Sequence, residues 1–153
     1  MKTNILKFAL ACAALGGFCM TVPAAALAQA PDKALAAAAK EAGAKVTASG
    51  LVILMVKEGK GTQPAATSTV RVHYRGLFPD GREFDSSYKR GEPIEFPLNG
   101  VIKCWTEGVA LMKVGGAARL TCPSSIAYGA RGAGGVIPPN ATLVFEVTLL
   151  GVR

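Results

Sequence analysis

The amino-acid sequence predicts an α+β domain made of one antiparallel sheet and one short helix. Three observations carry that prediction. The segment STVRVHYRGLF (68–78) alternates apolar and polar residues with period two, and TLVFEVTLLGV (142–152) puts Leu143, Phe145, Val147 and Leu149 on one face, as strands do. The segment VIKCWTEGVALM (101–112) puts Ile102, Trp105, Val109 and Met112 on one helical face. Pro79-Asp80-Gly81 has turn chemistry and joins the first alternating segment to REFDSS as a hairpin.

The chain opens with Met1, Lys2 and Lys7, runs on through apolar and small residues, and reaches Ala26-Leu27-Ala28. That pattern reads as a secretory signal peptide over residues 1–28. A retained membrane anchor is the alternative, and Gly16, Gly17, Pro23 and the small closing residues count against it. Neither Cys12 nor Cys19 follows a Leu-Ala-Gly type sequence, which counts against lipidation. Export to the periplasm is expected, with secretion as the alternative and no membrane insertion after cleavage.

Residues 29–48 are rich in Ala and Lys. Asp32 can cap a helix from Lys33, and Gly43 would stop it. With a mostly alanine face, this reads as a frayed helix or linker rather than a domain. The folded domain is expected at 49–153. Within it, GLVILMVKEG is a β-rich run and GKGTQPAATS a loop. Val70, Val72 and Tyr74 share one face of the next strand, and Arg71, His73 and Arg75 the other. YKRGEP is a polar loop and IEFPL a short strand. KVGG ends the helix. AARLTCP alternates again, with Ala118, Leu120 and Cys122 on one face. SSIAYGARGAGGVIPPNA is a long loop dense in Gly and Pro. The last strand presents Leu143, Phe145, Val147 and Leu149 together.

The whole chain carries a net charge of +7, and removal of Lys2 and Lys7 leaves +5. Acids lie among the scattered bases, and no dense basic run is interleaved with aromatics. This argues against nucleic-acid binding. Cys104 and Cys122 remain after export, and with the single His73 they cannot make a four-ligand zinc site. Ser86 and Ser87 lack a nucleophile-elbow context. GARGAGG lacks the Lys-Ser/Thr of a phosphate loop. Asn140-Ala141-Thr142 matches a glycosylation acceptor only formally. What remains is aromatic: Tyr74, Phe84, Phe96, Trp105, Tyr128 and Phe145. An apolar pocket with a few polar groups is a binding site by default.

VHYRGLFPDGREFDSS, FPLNGVIKCWTEGVALMKVGG and CPSSIAYGARGAGGVIPPNATLVFEVTLL occur in this order. Together they resemble the FK506-binding (FKBP) family of peptidyl-prolyl cis-trans isomerases, from about Gly50 to Val152. The leader and the TASGL entry are most similar to exported bacterial members of the Mip and FkpA kind. Such members often carry a long helical dimerisation stalk. Only residues 29–48 stand between leader and domain here, so a stalk is not expected and a monomer is.

The resemblance implies a twisted antiparallel sheet wrapped around one short helix, with a pocket between them. It places Tyr74, Phe84 and Asp85 along one wall, Val101 and Ile102 before the helix, and Trp105 on the floor. Tyr128 and Ile137 would come from the long loop, Phe145 from the last strand, and Phe96 from the short strand near the helix. Ile94 stands where many members have Phe, so that wall is partly aliphatic. Plain core packing is the alternative for each. The implied partners are unfolded or nascent proline-containing chains, with FK506- or rapamycin-type macrolides as inhibitors and no cofactor. A chaperone that keeps the pocket without turnover is the alternative function. Two cysteines in an exported chain suggest one disulfide. Cys122 faces the core and Cys104 opens the helix against the same core, so a Cys104–Cys122 bond is expected. Two buried reduced thiols are the alternative.

Overall fold

The two strand-like segments become the long strands β3 (Thr69–Leu77) and β7 (Leu143–Val152), paired antiparallel. Their alternation is what lets them sit centrally. Val70, Val72 and Tyr74 of β3, and Leu143, Phe145, Val147 and Leu149 of β7, all point into one core. The alternate residues, Arg71, Arg75 and Leu150 among them, face out. The computed structural model describes residues 32–153. The expected signal peptide lies outside the described residues.

Around this pair stand β1 (Ala44–Val46), β2 (Val52–Lys57), β4 (Glu83–Ser86), β5 (Ile94–Pro97) and β6 (Ala117–Cys122). Hydrogen bonding gives the order β1-β2-β6-β7-β3-β4, with β5 also pairing β3. All the pairings are antiparallel. The outer edge of β3 is therefore shared: β5 pairs its first half, from Thr69 to Val72, and β4 its last, from Arg75 to Leu77.

Helix α3 (Lys103–Ala110) lies on the core face and buries Cys104, Trp105, Gly108 and Val109. Gly108 sets how close it can lie. A Cβ there would stand 2.8 Å from both terminal methyls of Leu120 on β6. The helix is eight residues long, so packing against the sheet, not helix propensity, stabilises it.

Two segments depart from the sequence expectation. YKRGEP is not all loop: Ser87–Arg90 forms a short helix, α2, capped by the Ser86 side chain and closed by Gly91 at φ 78°. Between Asp32 and Ala48 the expected short helix forms, α1 (Lys33–Ala39) capped by Asp32, but Ala44–Val46 is a strand the sequence did not suggest, extending the sheet as an edge on β2. Tertiary ties offset the weak alanine face. Asp32 also accepts from the Thr142 hydroxyl, and one Arg119 nitrogen donates to both Glu41 oxygens at 2.9 and 3.0 Å.

Candidate active site

The last half of β3, β4 and β7 bring four residues to one end of the sheet. Phe84 and Asp85 come from β4, Tyr74 from β3 and Phe145 from β7. The start of α3 closes the opposite side with Gly100, Val101, Ile102 and Trp105, β5 adds Ile94 and Phe96, and Tyr128 overhangs from the long loop. These residues line a cavity of about 540 Å³.

Trp105 is 5% exposed and central. The rings of Tyr74 and Phe145 meet it edge-on, with centroids 5.1 and 5.3 Å away, and Phe96 is tilted against it at 5.2 Å. Such arrangements fix ring orientation as well as bury area. Its indole N–H is buried with no hydrogen-bond partner among the described residues.

Gly76 is part of the wall, although it has no side chain to present. A Cβ there would lie 2.6 Å from Phe84 Cζ and 3.3 Å from Phe145 Cε1. The bare backbone of β3 is the seat on which both rings rest.

One polar cluster sits at the rim. The Tyr74 hydroxyl donates to Asp85, while Arg90 donates to the Asp85 carboxylate and, at 2.9 Å, to the Tyr74 oxygen. The Ser86 N–H donates to Asp85 at 2.8 Å. Desolvation pushes the Asp85 carboxyl up, but the bonds from Tyr74 and Arg90 outweigh it and hold the pKa below the ordinary value. Tyr74 is pushed above the usual tyrosine value by burial and by its bond to Asp85. Tyr128 is raised by burial and by the nearby Asp85 charge. Both phenols therefore stay protonated donors at neutral pH. Tyr128 remains 37% exposed at the mouth. In the first turn of α3 the Trp105 N–H donates to the Ile102 carbonyl at 3.0 Å, and no side chain caps that end at Ile102.

The structure thus brings together every residue that the sequence placed at the pocket except Ile137. Hydrogen bonds exchanged with Ala133, both 3.0 Å, hold Ile137 inside the long loop. There it is buried and lines the neighbouring groove instead. Sequence reasoning missed Arg90, Gly76 and Gly100. Arg90 sits in a polar run without periodicity, and only the α2 turn aims it back at Tyr74. His73 lies away from the pocket on the outer face, stacked on Tyr88 at 4.5 Å with Nδ1 2.9 Å from Ser87 Oγ. Cys104 and Cys122 are fully buried with their sulfurs at bonding distance and Cα atoms 5.9 Å apart.

A family model described as FKBP-type peptidyl-prolyl cis-trans isomerase matches residues 60–150. The chain is 54% identical over 114 residues to the FKBP-type 22 kDa peptidyl-prolyl cis-trans isomerase of Escherichia coli strain K12, covering 74% of this chain and 55% of that protein. It is 57% identical over 103 residues to FK506-binding protein 1 of Dictyostelium discoideum, covering 66% of this chain and 96% of that protein. The crystal structure of FkpA from Escherichia coli superposes with a TM-score of 0.77 at 49% identity, over 79% of this chain and 56% of that one. The chain spans about half the length of the bacterial relatives it matches, from 42% to 55%.

Proposed function

The chain belongs to the FKBP-type peptidyl-prolyl cis-trans isomerase family, and from that premise we propose that it accelerates rotation about Xaa-Pro bonds in unfolded or nascent proline-containing chains. One observation supports this reading above all: six of the eleven residues that line the cavity carry aromatic rings, and the one charged residue among them is Asp85.

Rotation about an Xaa-Pro bond is slow because twisting breaks amide resonance, with a barrier of roughly 18–20 kcal/mol. The planar amide is more dipolar than the twisted one, so water stabilises the planar ground state. An apolar cavity removes that preference. The proline ring stacks over Trp105, and Tyr74, Phe96 and Phe145 hold the indole in place. Ligand carbonyls are received by the Tyr128 hydroxyl and the Ile102 N–H. Interactions that strengthen as the amide twists lower the barrier. Asp85, held ionised by Tyr74 and Arg90, is a fixed polar wall and not a base. No bond is made or broken, so the chemistry asks for no nucleophile.

The proposal extends to place and covalent structure. Residues 1–28 act as a leader for export, so that the clients are exported chains in the periplasm. No helix among the described residues is long and apolar enough to cross a membrane. In that oxidising compartment Cys104 and Cys122 are bonded, a reading supported by their burial and spacing. Macrolides of the FK506 and rapamycin type occupy the same cavity.

A protease-coupled assay on an Xaa-Pro-Phe peptide tests the function. The expected result is rate enhancement that FK506 abolishes. A folded preparation that leaves the uncatalysed rate unchanged overturns it.

A further inference from the structure

Next to the proline pocket lies a second concavity, a groove of about 480 Å³ between the β3–β4 turn and the long loop. Phe78 forms its floor on one side, and Val136, Pro138 and Pro139 its other bank. The two concavities share a wall. Phe84 lines the pocket, Phe78 lines the groove, and their ring centroids are 5.1 Å apart. The long loop borders both, with Tyr128 over the pocket and Arg131 over the groove.

The groove's charge is one-sided. Its charged lining residues are Arg82 and Arg131, with no acid among the lining. Arg82 lies over the Phe78 ring, 5.0 Å from its centroid, and is paired at 2.7 Å with the exposed Asp80. Arg131 ends a short 3-10 turn, Gly129–Arg131. The loop that carries it is braced by its own backbone. Asn140 N–H donates to the Gly129 carbonyl at 2.8 Å, Gly132 N–H to Tyr128 at 3.2 Å, and Ala133 and Ile137 bond each other. A braced loop holds the backbone that carries the guanidinium, so binding has only the Arg131 side chain left to order.

We propose that this groove is a second subsite for the same client chain, taking an acidic side chain, Asp or Glu, that flanks the proline. The proposal rests on the isomerase reading and names a client preference within it. Arg131 beside an apolar floor suits a carboxylate on a short aliphatic stem, since Arg82 already has Asp80 as its partner. Reach is not limiting. An extended chain advances about 3.3–3.6 Å per residue, so a residue roughly two or three positions from the proline crosses the Phe84–Phe78 wall. Whether it precedes or follows the proline depends on client direction, which the experiment reads.

Exchange NMR on the mature protein gives both affinity and isomerisation rate for Ala-Pro-Phe peptides. Glu, Gln or Lys is placed two positions before or after the proline. At one flank, the Glu peptide is expected to exceed the Lys peptide by about three- to five-fold in kcat/KM, the size of a partly screened ion pair. The difference should lie in KM and shrink in high salt. Arg131→Gln brings the ratio towards one and Arg131→Glu inverts it. Lys60→Gln removes the same charge from an exposed loop outside both concavities and leaves the ratio as it was. A ratio near one at both flanks overturns the proposal. So does an equal change in Arg131→Gln and Lys60→Gln, which would mean only general attraction to a basic protein. The Gln peptide's exchange rate reports separately on the isomerase reading. If that rate is not enhanced, the Glu and Lys affinities still decide whether the subsite exists.

Discussion

The proposed Cys104–Cys122 bond ties the first turn of α3 to the end of β6, and reduction removes that tie. The two residues are 18 apart in sequence. In the chain-entropy picture, closing a loop of that length in the unfolded chain stabilises the fold by about 3 kcal/mol at 25 °C. A domain of this size loses about 1–1.5 kcal/mol per molar urea, so the unfolding midpoint should fall by about 2–3 M urea in reductant. Both cysteines are fully buried, so reductant must act through the unfolded state, and curves are compared after equilibration in urea with and without dithiothreitol. Function should fall beyond what stability alone dictates. Trp105 directly follows Cys104, and α3 has no side-chain cap, so the tie also fixes the pocket floor. The isomerase rate per folded molecule is expected to drop in the reduced protein. Thiol titration of the mature protein, unfolded without reductant, should find no free thiol. Two reactive thiols per chain, or identical midpoints in the two urea series, would refute the reasoning.

Other perturbations have equally definite outcomes. Gly76→Ala places a methyl inside the Phe84 ring's contact distance. Overpacking of this kind costs about 1–3 kcal/mol, and the displaced walls should lower kcat/KM at least about ten-fold, as seen in denaturation and peptide assays on one preparation. Arg90→Gln leaves Asp85 and Tyr74 without their shared donor. An upward move of the Asp85 carboxyl pKa is expected by NMR titration, with isomerase activity lowered about two- to five-fold. The pH dependence follows from the rim. Asp85 has a depressed folded pKa, so its stabilising contribution is complete above the unfolded value and is lost as pH falls through the folded one. Tyr74 and Tyr128 are raised, so theirs is complete below the unfolded tyrosine value and lost as pH rises beyond it. Activity should therefore be level from about pH 5.5 to 9. A bell centred near neutrality would point to a proton in flight and against the mechanism.

The sequence made β3, β7 and α3 legible because each buries one full face and so writes its period into the chain. The hairpin at Pro79-Asp80-Gly81 was legible from turn chemistry. β1 was not, since three residues in an alanine-rich stretch carry no period, and their pairing depends on Leu54 and Val52 across the sheet. Ten of the eleven pocket positions followed from the order of the motifs rather than from any local pattern. Ile137 went astray because the loop folds back on itself through Ala133, a contact that spacing does not record. Arg90 and Gly76 show two further limits. A charged residue in a polar loop gains its role only from the turn that aims it, and a glycine acts through what it lets come near.

The chain has a single tryptophan, Trp105, on the pocket floor, so its fluorescence reports on occupation of this one cavity. Titration with an FK506-type macrolide, following fluorescence and peptide isomerisation in the same samples, tests the central claim most directly. The two signals are predicted to change together with one midpoint, and activity to vanish when the fluorescence change saturates. Isomerase activity that persists with the cavity filled would contradict the account.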